Sequence, residues 1–130
     1  MERHVTLLGI LEFLWGALAI LVGVSILLQA AGAAAELIDP VGTTVELAAG
    51  LTAAMFAVIG FFALLWGGAH VWAAALIRRR RPSGRLLALA LAVVDLPVLP
   101  FGTALGGYAM WVLLTDDGRR LFEPSVPGTP

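Results

Sequence analysis

Residues 91–108 read LAVVDLPVLPFGTALGGY, and the organisation of the whole chain turns on them. An acid, Asp95, and two helix breakers, Pro97 and Pro100, stand inside an otherwise hydrocarbon run, with Gly102 and Thr103 just beyond. The apolar stretch around them, Leu86 to Leu114, is 29 residues long. Two full membrane crossings need about 20 residues each, so the stretch is too short for a pair of complete spans. Proline disfavours helix in the residue ahead of it, which stops a first arm, residues 86–96, before Pro97. The segment LPVLPFGT then turns the chain, and Thr103 can cap a second arm over 104–115. At 1.5 Å per residue each arm covers only roughly 16–22 Å. The expected element is a short helical hairpin with both feet on one side and its tip at membrane depth. Irregular backbone at that depth needs protein or a water-filled cavity around it, so the hairpin should lean into other helices. Asp95 fits as an anchor whose carboxylate accepts from the freed amides of Gly102-Thr103-Ala104, or as a polar group on a permeation path.

The rest of the chain supplies those other helices. Of 130 residues, 60% are hydrophobic and 13% charged, with a mean hydropathy of +0.95. Water-soluble domains carry about a quarter charged residues, so this balance points to lipid as the main solvent. Residues 5–28 form a 24-residue apolar run interrupted by one charge, Glu12. That run is longer than a signal-peptide core of about 7–15 residues, so it reads as a retained span. Residues 31–46 hold Asp39-Pro40 as a turn, and Thr43 with Glu46 has capping-box spacing that starts the next helix near Thr44. The second span, residues 47–77, is 31 residues without an acid or an arginine. It must tilt, kink near Gly60 or Gly67-Gly68, or project from the bilayer. The fold class expected is therefore an all-α integral membrane protein: two long transmembrane helices plus the Pro/Gly-turned hairpin, four membrane segments in one domain over 1–123. The last residues, 124–130, should be a disordered tail.

Orientation follows from the basic residues. RRRRPSGR places Arg78, Arg79, Arg80, Arg81 and Arg85 beside a span end, which the positive-inside rule assigns to the cytoplasm. The acidic 31–46 loop then lies outside. A single crossing over 86–114 would carry Arg119 and Arg120 outside as well, and the hairpin avoids that. Both termini are expected in the cytoplasm, with the chain in the membrane that bounds it. Arg119 and Arg120 before Leu121-Phe122 suit a short foot on anionic lipid.

The run LPFGTALGGYAMWVLL, followed by an acidic, arginine-containing turn and LF, resembles the C-terminal signature of small uncharacterised bacterial tetraspan membrane proteins. Members often carry Ile or Tyr at the place of Gly107. The resemblance implies four membrane segments and carries no activity with it.

Three ionisable groups fall within spans: Glu12, His70 and Asp95. Such groups cost about 2.5–3.5 kcal/mol each at a helix centre on insertion scales. Glu12 and His70 each lie seven residues from the Arg-marked end of their spans, so both sit roughly 10 Å below one surface and can meet. The pair serves either to pin two helices together or to handle protons or cations. Gly9, Gly16, Ala19 and Gly23, with Ala49, Ala53, Ala57 and Gly60, form small-residue stripes that let backbones approach, within a chain or between copies. Of the tryptophans, Trp72 and Trp111 suit interface anchors, with Trp15 and Trp66 deeper.

Other chemistries find little here. A net charge of −1 lacks the basic footprint that nucleic acid requires. There is no cysteine, which excludes disulfides and thiolate ligands, and there is no lysine, a pattern that fits a GC-rich genome. No nucleophile–base set, metal-ligand cluster or phosphate loop stands out, so neither an enzyme nor a cofactor or metal is expected. Two functional expectations survive. One is a homo-oligomeric channel or transporter for ions or protons, lined by Glu12, His70 and Asp95. The other is a non-catalytic packing or accessory protein for another membrane protein or for lipid.

Overall fold

The computed structural model of the chain describes residues 1–38 and 42–123. Among these the protein is all-α: α1 (Glu2–Ala35), α2 (Thr43–Arg78), α3 (Pro82–Asp95), α4 (Phe101–Leu114) and a short α5 (Asp116–Arg120). α1 and α2 are both long and apolar enough to cross a membrane. The Asp39-Pro40 turn and the 124–130 tail lie outside the described residues.

The helices overrun the boundaries expected from the sequence, for local reasons. α1 continues through AGAAA to Ala35 instead of ending at Leu28, since alanine is the best helix former and nothing there breaks the ladder. The loop expected at 31–46 is correspondingly shorter. α2 begins at Thr43, where the Gly42 carbonyl accepts the Glu46 N–H at 3.0 Å, and runs uninterrupted as helix through Gly60 and Gly67-Gly68. α3 starts at Pro82, four residues before the expected Leu86. Proline at the first helical position loses no hydrogen bond and brings a preset φ. It ends at Asp95, two residues ahead of Pro97, so the stop is where proline chemistry puts it.

Between α2 and α3 the chain reverses on arginines alone. Arg80 is left-handed (φ 51°), with its N–H on the Ile77 carbonyl and the Arg81 N–H on the Leu76 carbonyl, at 2.9 and 3.0 Å. This is the paired-bond helix stop that usually takes glycine.

Contacts divide the chain into two compact units. The first joins residues 1–15 to residues 70–123. Its core is small and aliphatic: Leu8, Ile77, Ala88, Ala109, Val112 and Leu113 are fully buried or within 1% of it. α3 and α4 pack as a hairpin, and Gly106 is where they touch. A Cβ there would stand 2.5 Å from the Ala92 carbonyl oxygen, so only glycine admits the approach. Arg85 ties the feet of the hairpin, its Nε–H donating to the Leu113 carbonyl at 2.9 Å, one of the orphan acceptors at the end of α4. The second unit, residues 16–69, pairs the remaining lengths of α1 and α2. Gly67 packs on the Gly16 carbonyl so closely that a Cβ would come within 2.5 Å of it. The outward faces of this unit carry exposed leucine, valine and phenylalanine, among them Leu21, Leu28, Phe61 and Phe62.

Candidate functional site

Three titratable side chains are buried in the first unit: Glu12, His70 and Asp95, each no more than 1% exposed. Each comes from a different helix. Glu12 is on α1, ten residues from its start; His70 is on α2, eight residues before Arg78; Asp95 is the last residue of α3. His70 stands between the other two. Its Nδ1 lies 2.6 Å from Glu12 Oε2, and its Nε2 lies 3.5 Å from Asp95 Oδ2. The first distance is at the short end of charge-assisted hydrogen bonds; the second is an ion-pair distance.

The chemistry of this arrangement follows from what each group can donate or accept. An ionised carboxylate only accepts, so with Glu12 ionised the Nδ1 of His70 carries hydrogen and donates to Oε2. That fixes the face His70 turns to Asp95. Either Nε2 also carries hydrogen and Asp95 is a carboxylate, or Nε2 is a lone pair and Asp95 is the donor acid. Both arrangements hold the same number of protons. They differ by a shift of one hydrogen across the Nε2–Oδ2 gap. With that count the triad carries one net negative charge, and a further proton brings it to zero. Burial penalises the charged state, since an unbalanced charge away from water costs several kcal/mol or more.

The two carboxylates sit on opposite nitrogens of one ring, so they do not converge on a common point. No group of three metal-ligating side chains suited to an ion forms among the described residues.

Asp95 is therefore placed differently from the anchor that the sequence suggests. The amides of Thr103 and Ala104 are taken by the Val98 and Pro100 carbonyls, both at 3.2 Å, and the Val98 N–H by the Asp95 main-chain carbonyl at 2.8 Å. Backbone closes the turn, and the Asp95 carboxylate faces the imidazole. Thr103 likewise does not cap α4, which begins two residues earlier at Phe101. Its hydroxyl donates instead across the turn to the Leu96 carbonyl at 2.5 Å. Pro97 and Pro100 occupy the turn, the latter through a cis Leu99–Pro100 bond. Gly102 is buried where a Cβ would meet the Asp95 carbonyl oxygen at 2.6 Å.

Around the triad, Trp15 packs against the core one turn on from Glu12. Its buried indole N–H meets no hydrogen-bond acceptor among the described residues. Nearer the α1 start, His4 Nδ1 lies 3.0 Å from the Tyr108 hydroxyl and the His4 ring stands edge-on to Trp111. Sequence reasoning missed this cluster, although Tyr108 and Trp111 share a face of α4 at three-residue spacing. Of the arginines, Arg80 pairs with Glu2 at 3.0 Å and Arg119 with Glu123 at 3.6 Å, both exposed. Arg78, Arg79, Arg81 and Arg120 are exposed too. Compared with known proteins, the chain matches no family model, no curated sequence and no solved structure.

Proposed function

We propose that this chain is a multi-pass protein of a bacterial cytoplasmic membrane that moves protons through the Glu12–His70–Asp95 triad. The observation that carries the reading is one imidazole buried between two carboxylates. Packing alone needs one polar pair; a third group with an excess negative charge and a shiftable proton is the chemistry of a relay.

The membrane half of the reading rests on exposure. Of the most apolar stretch of α1 only 17% is buried, and of α2 only 11%, which is the reverse of a core helix in a soluble protein. Apolar surface on that scale requires lipid or protein against it. At 34 and 36 residues the two helices are roughly 50 Å long and reach past a hydrocarbon core of about 30 Å. α3 and α4, 14 residues each, supply the two short segments of a four-segment topology. Arg78–Arg81 and both termini belong to the cytoplasmic side.

A homo-oligomer completes the proposal. Leu99 and Phe101 at the hairpin tip are 79% and 71% exposed, and the irregular backbone between them needs a neighbour or held water at membrane depth. The competing reading, a packing or accessory protein for another membrane protein or for lipid, draws on the close Gly16–Gly67 crossing and treats the triad as a clamp between three helices. Proteoliposomes loaded with a pH-sensitive dye decide between them. The purified chain should collapse an imposed pH gradient faster than empty vesicles, with potassium flux unchanged. Collapse at the empty-vesicle rate removes transport and leaves the clamp.

A further inference from the structure

The Arg-marked corner between α2 and α3 holds a cleft of about 430 Å³ lined by Trp72, Leu76, Arg79, Arg81, Ser83 and Leu87. Its lining is graded. Trp72 and Leu76 stand one turn apart on one face of α2, and Arg79 follows three residues on, in the turn just past its end. Ser83 and Leu87 repeat the order on α3, one turn apart. The cleft is therefore cationic and hydroxylic at the helix ends and apolar further along.

The turn sorts the arginines into this shape. Left-handed Arg80 sends its own side chain to Glu2, while Arg79 and Arg81 on either side of it line the cleft. A non-glycine residue in that conformation costs about 1 kcal/mol or more. The sequence accepts that cost and keeps four consecutive arginines. Ser83 also stands in the first turn of α3, a 14-residue helix whose N-cap Arg81 makes no side-chain cap bond. The first-turn amides and the helix dipole thus add to the same positive end.

We infer that this cleft binds one anionic glycerophospholipid from the cytoplasmic leaflet. The phosphodiester sits on Arg79, Arg81 and Ser83, and an acyl chain runs along Leu76, Leu87 and Trp72. Guanidinium groups suit phosphate oxygens, and a volume of this order is typical of a small-molecule site. An apolar trough leading away from the charges distinguishes a lipid from free phosphate, which would leave Trp72, 64% exposed, with nothing to cover it. The inference rests on the membrane reading but not on proton transport.

Native mass spectrometry of the full chain, released from nanodiscs of equal phosphatidylglycerol and phosphatidylcholine, tests it. The wild type should retain one phosphatidylglycerol and no phosphatidylcholine, and added inorganic phosphate should not displace it. Arg79→Gln/Arg81→Gln should lower apparent affinity roughly twenty-five-fold, two guanidinium contacts at about fivefold each. The charge-matched Arg78→Gln/Arg80→Gln, whose side chains do not line the cleft, should retain the lipid. All four side chains are exposed, so circular dichroism should show both variants folded. Equal loss in the two double variants means diffuse surface charge and overturns the cleft, as does equal retention of both lipids or displacement by phosphate. A chain that stays monodisperse in water without detergent overturns the membrane reading, and the cleft with it. A chain that enters nanodiscs but carries no phosphatidylglycerol overturns the cleft alone.

Discussion

Replacing His70 by leucine removes the ring that stands between Glu12 and Asp95. Two carboxyl groups, each 1% exposed, then lose their shared partner in a core of leucine, isoleucine and alanine. Breaking a buried ion pair by deleting one member costs about 3–5 kcal/mol, most of it the penalty of the partner left behind. For a chain of 130 residues about 4 °C of Tm accompanies each kcal/mol, which gives a loss of about 12–20 °C. The sign of the argument is carried by the triple change Glu12→Leu/His70→Leu/Asp95→Leu. It deletes more contacts than His70→Leu alone, yet it leaves no buried charge, and apolar replacement of a whole buried set is often neutral. The triple variant should therefore unfold well above His70→Leu and within about 1–2 kcal/mol of the wild type. Asp95→Leu should fall between them, because it breaks the 3.5 Å contact and leaves the 2.6 Å hydrogen bond in place. Loss of helical ellipticity on heating in detergent micelles measures all three. A triple variant as unstable as His70→Leu, or more so, overturns this: the three residues would then stabilise by shape and not through the pairing of their charges.

Further outcomes follow from single positions. Gly106→Ala forces a Cβ against the Ala92 carbonyl and should cost about 1–3 kcal/mol, whereas Gly107→Ala, with nothing within 4 Å, should be neutral or slightly stabilising; thermal unfolding of the two side by side checks it. Arg80→Gly relieves the left-handed strain and gives up only an exposed ion pair worth about 0–1 kcal/mol, so its Tm should stay level or rise, while Arg80→Ala should not rise. Because the chain has no cysteine, single cysteines can report sidedness: one at Thr43 should react with an impermeant thiol reagent in whole cells, and one at Ser83 should not.

Much of this was legible in the sequence because it is local. Pro97 ends α3, and two runs free of breakers become α1 and α2; these depend on nearest neighbours along the chain, although the start of α3 at Pro82 was expected at Leu86. The meeting of Glu12 with His70 was legible too, since two long antiparallel helices sharing one Arg-marked end convert residue counts into equal depth. Asp95 was not. Counted along α3 it lies 13 residues from Pro82, deeper than His70 is from Arg78, so residue counts do not pair it with the ring. How one helix packs on another depends on which small residues face it, as where α4 meets α3 at Gly106, and no one-dimensional count contains it. The alternative that the sequence offered, a carboxylate holding the turn's amides, was locally reasonable; the amides of Thr103 and Ala104 found the turn's own carbonyls instead. The lipid cleft escaped notice for a similar reason. The Trp72–Leu76–Arg79 spacing is visible, but its second wall is Ser83 and Leu87, beyond a turn whose left-handed arginine gives no signal in composition.

Whether Asp95 shares a mobile proton with His70 inside a bilayer is decided by matched proteoliposomes of the wild type and Asp95→Asn. An amide is close in size to the carboxyl group but cannot exchange a proton in this way, so assembly should persist while conduction stops. At equal copy number per vesicle and equal helical content, the wild type should collapse the gradient and Asp95→Asn should stay at the empty-vesicle rate. Asp95→Asn vesicles that dissipate the gradient as fast as the wild type would contradict the shared proton.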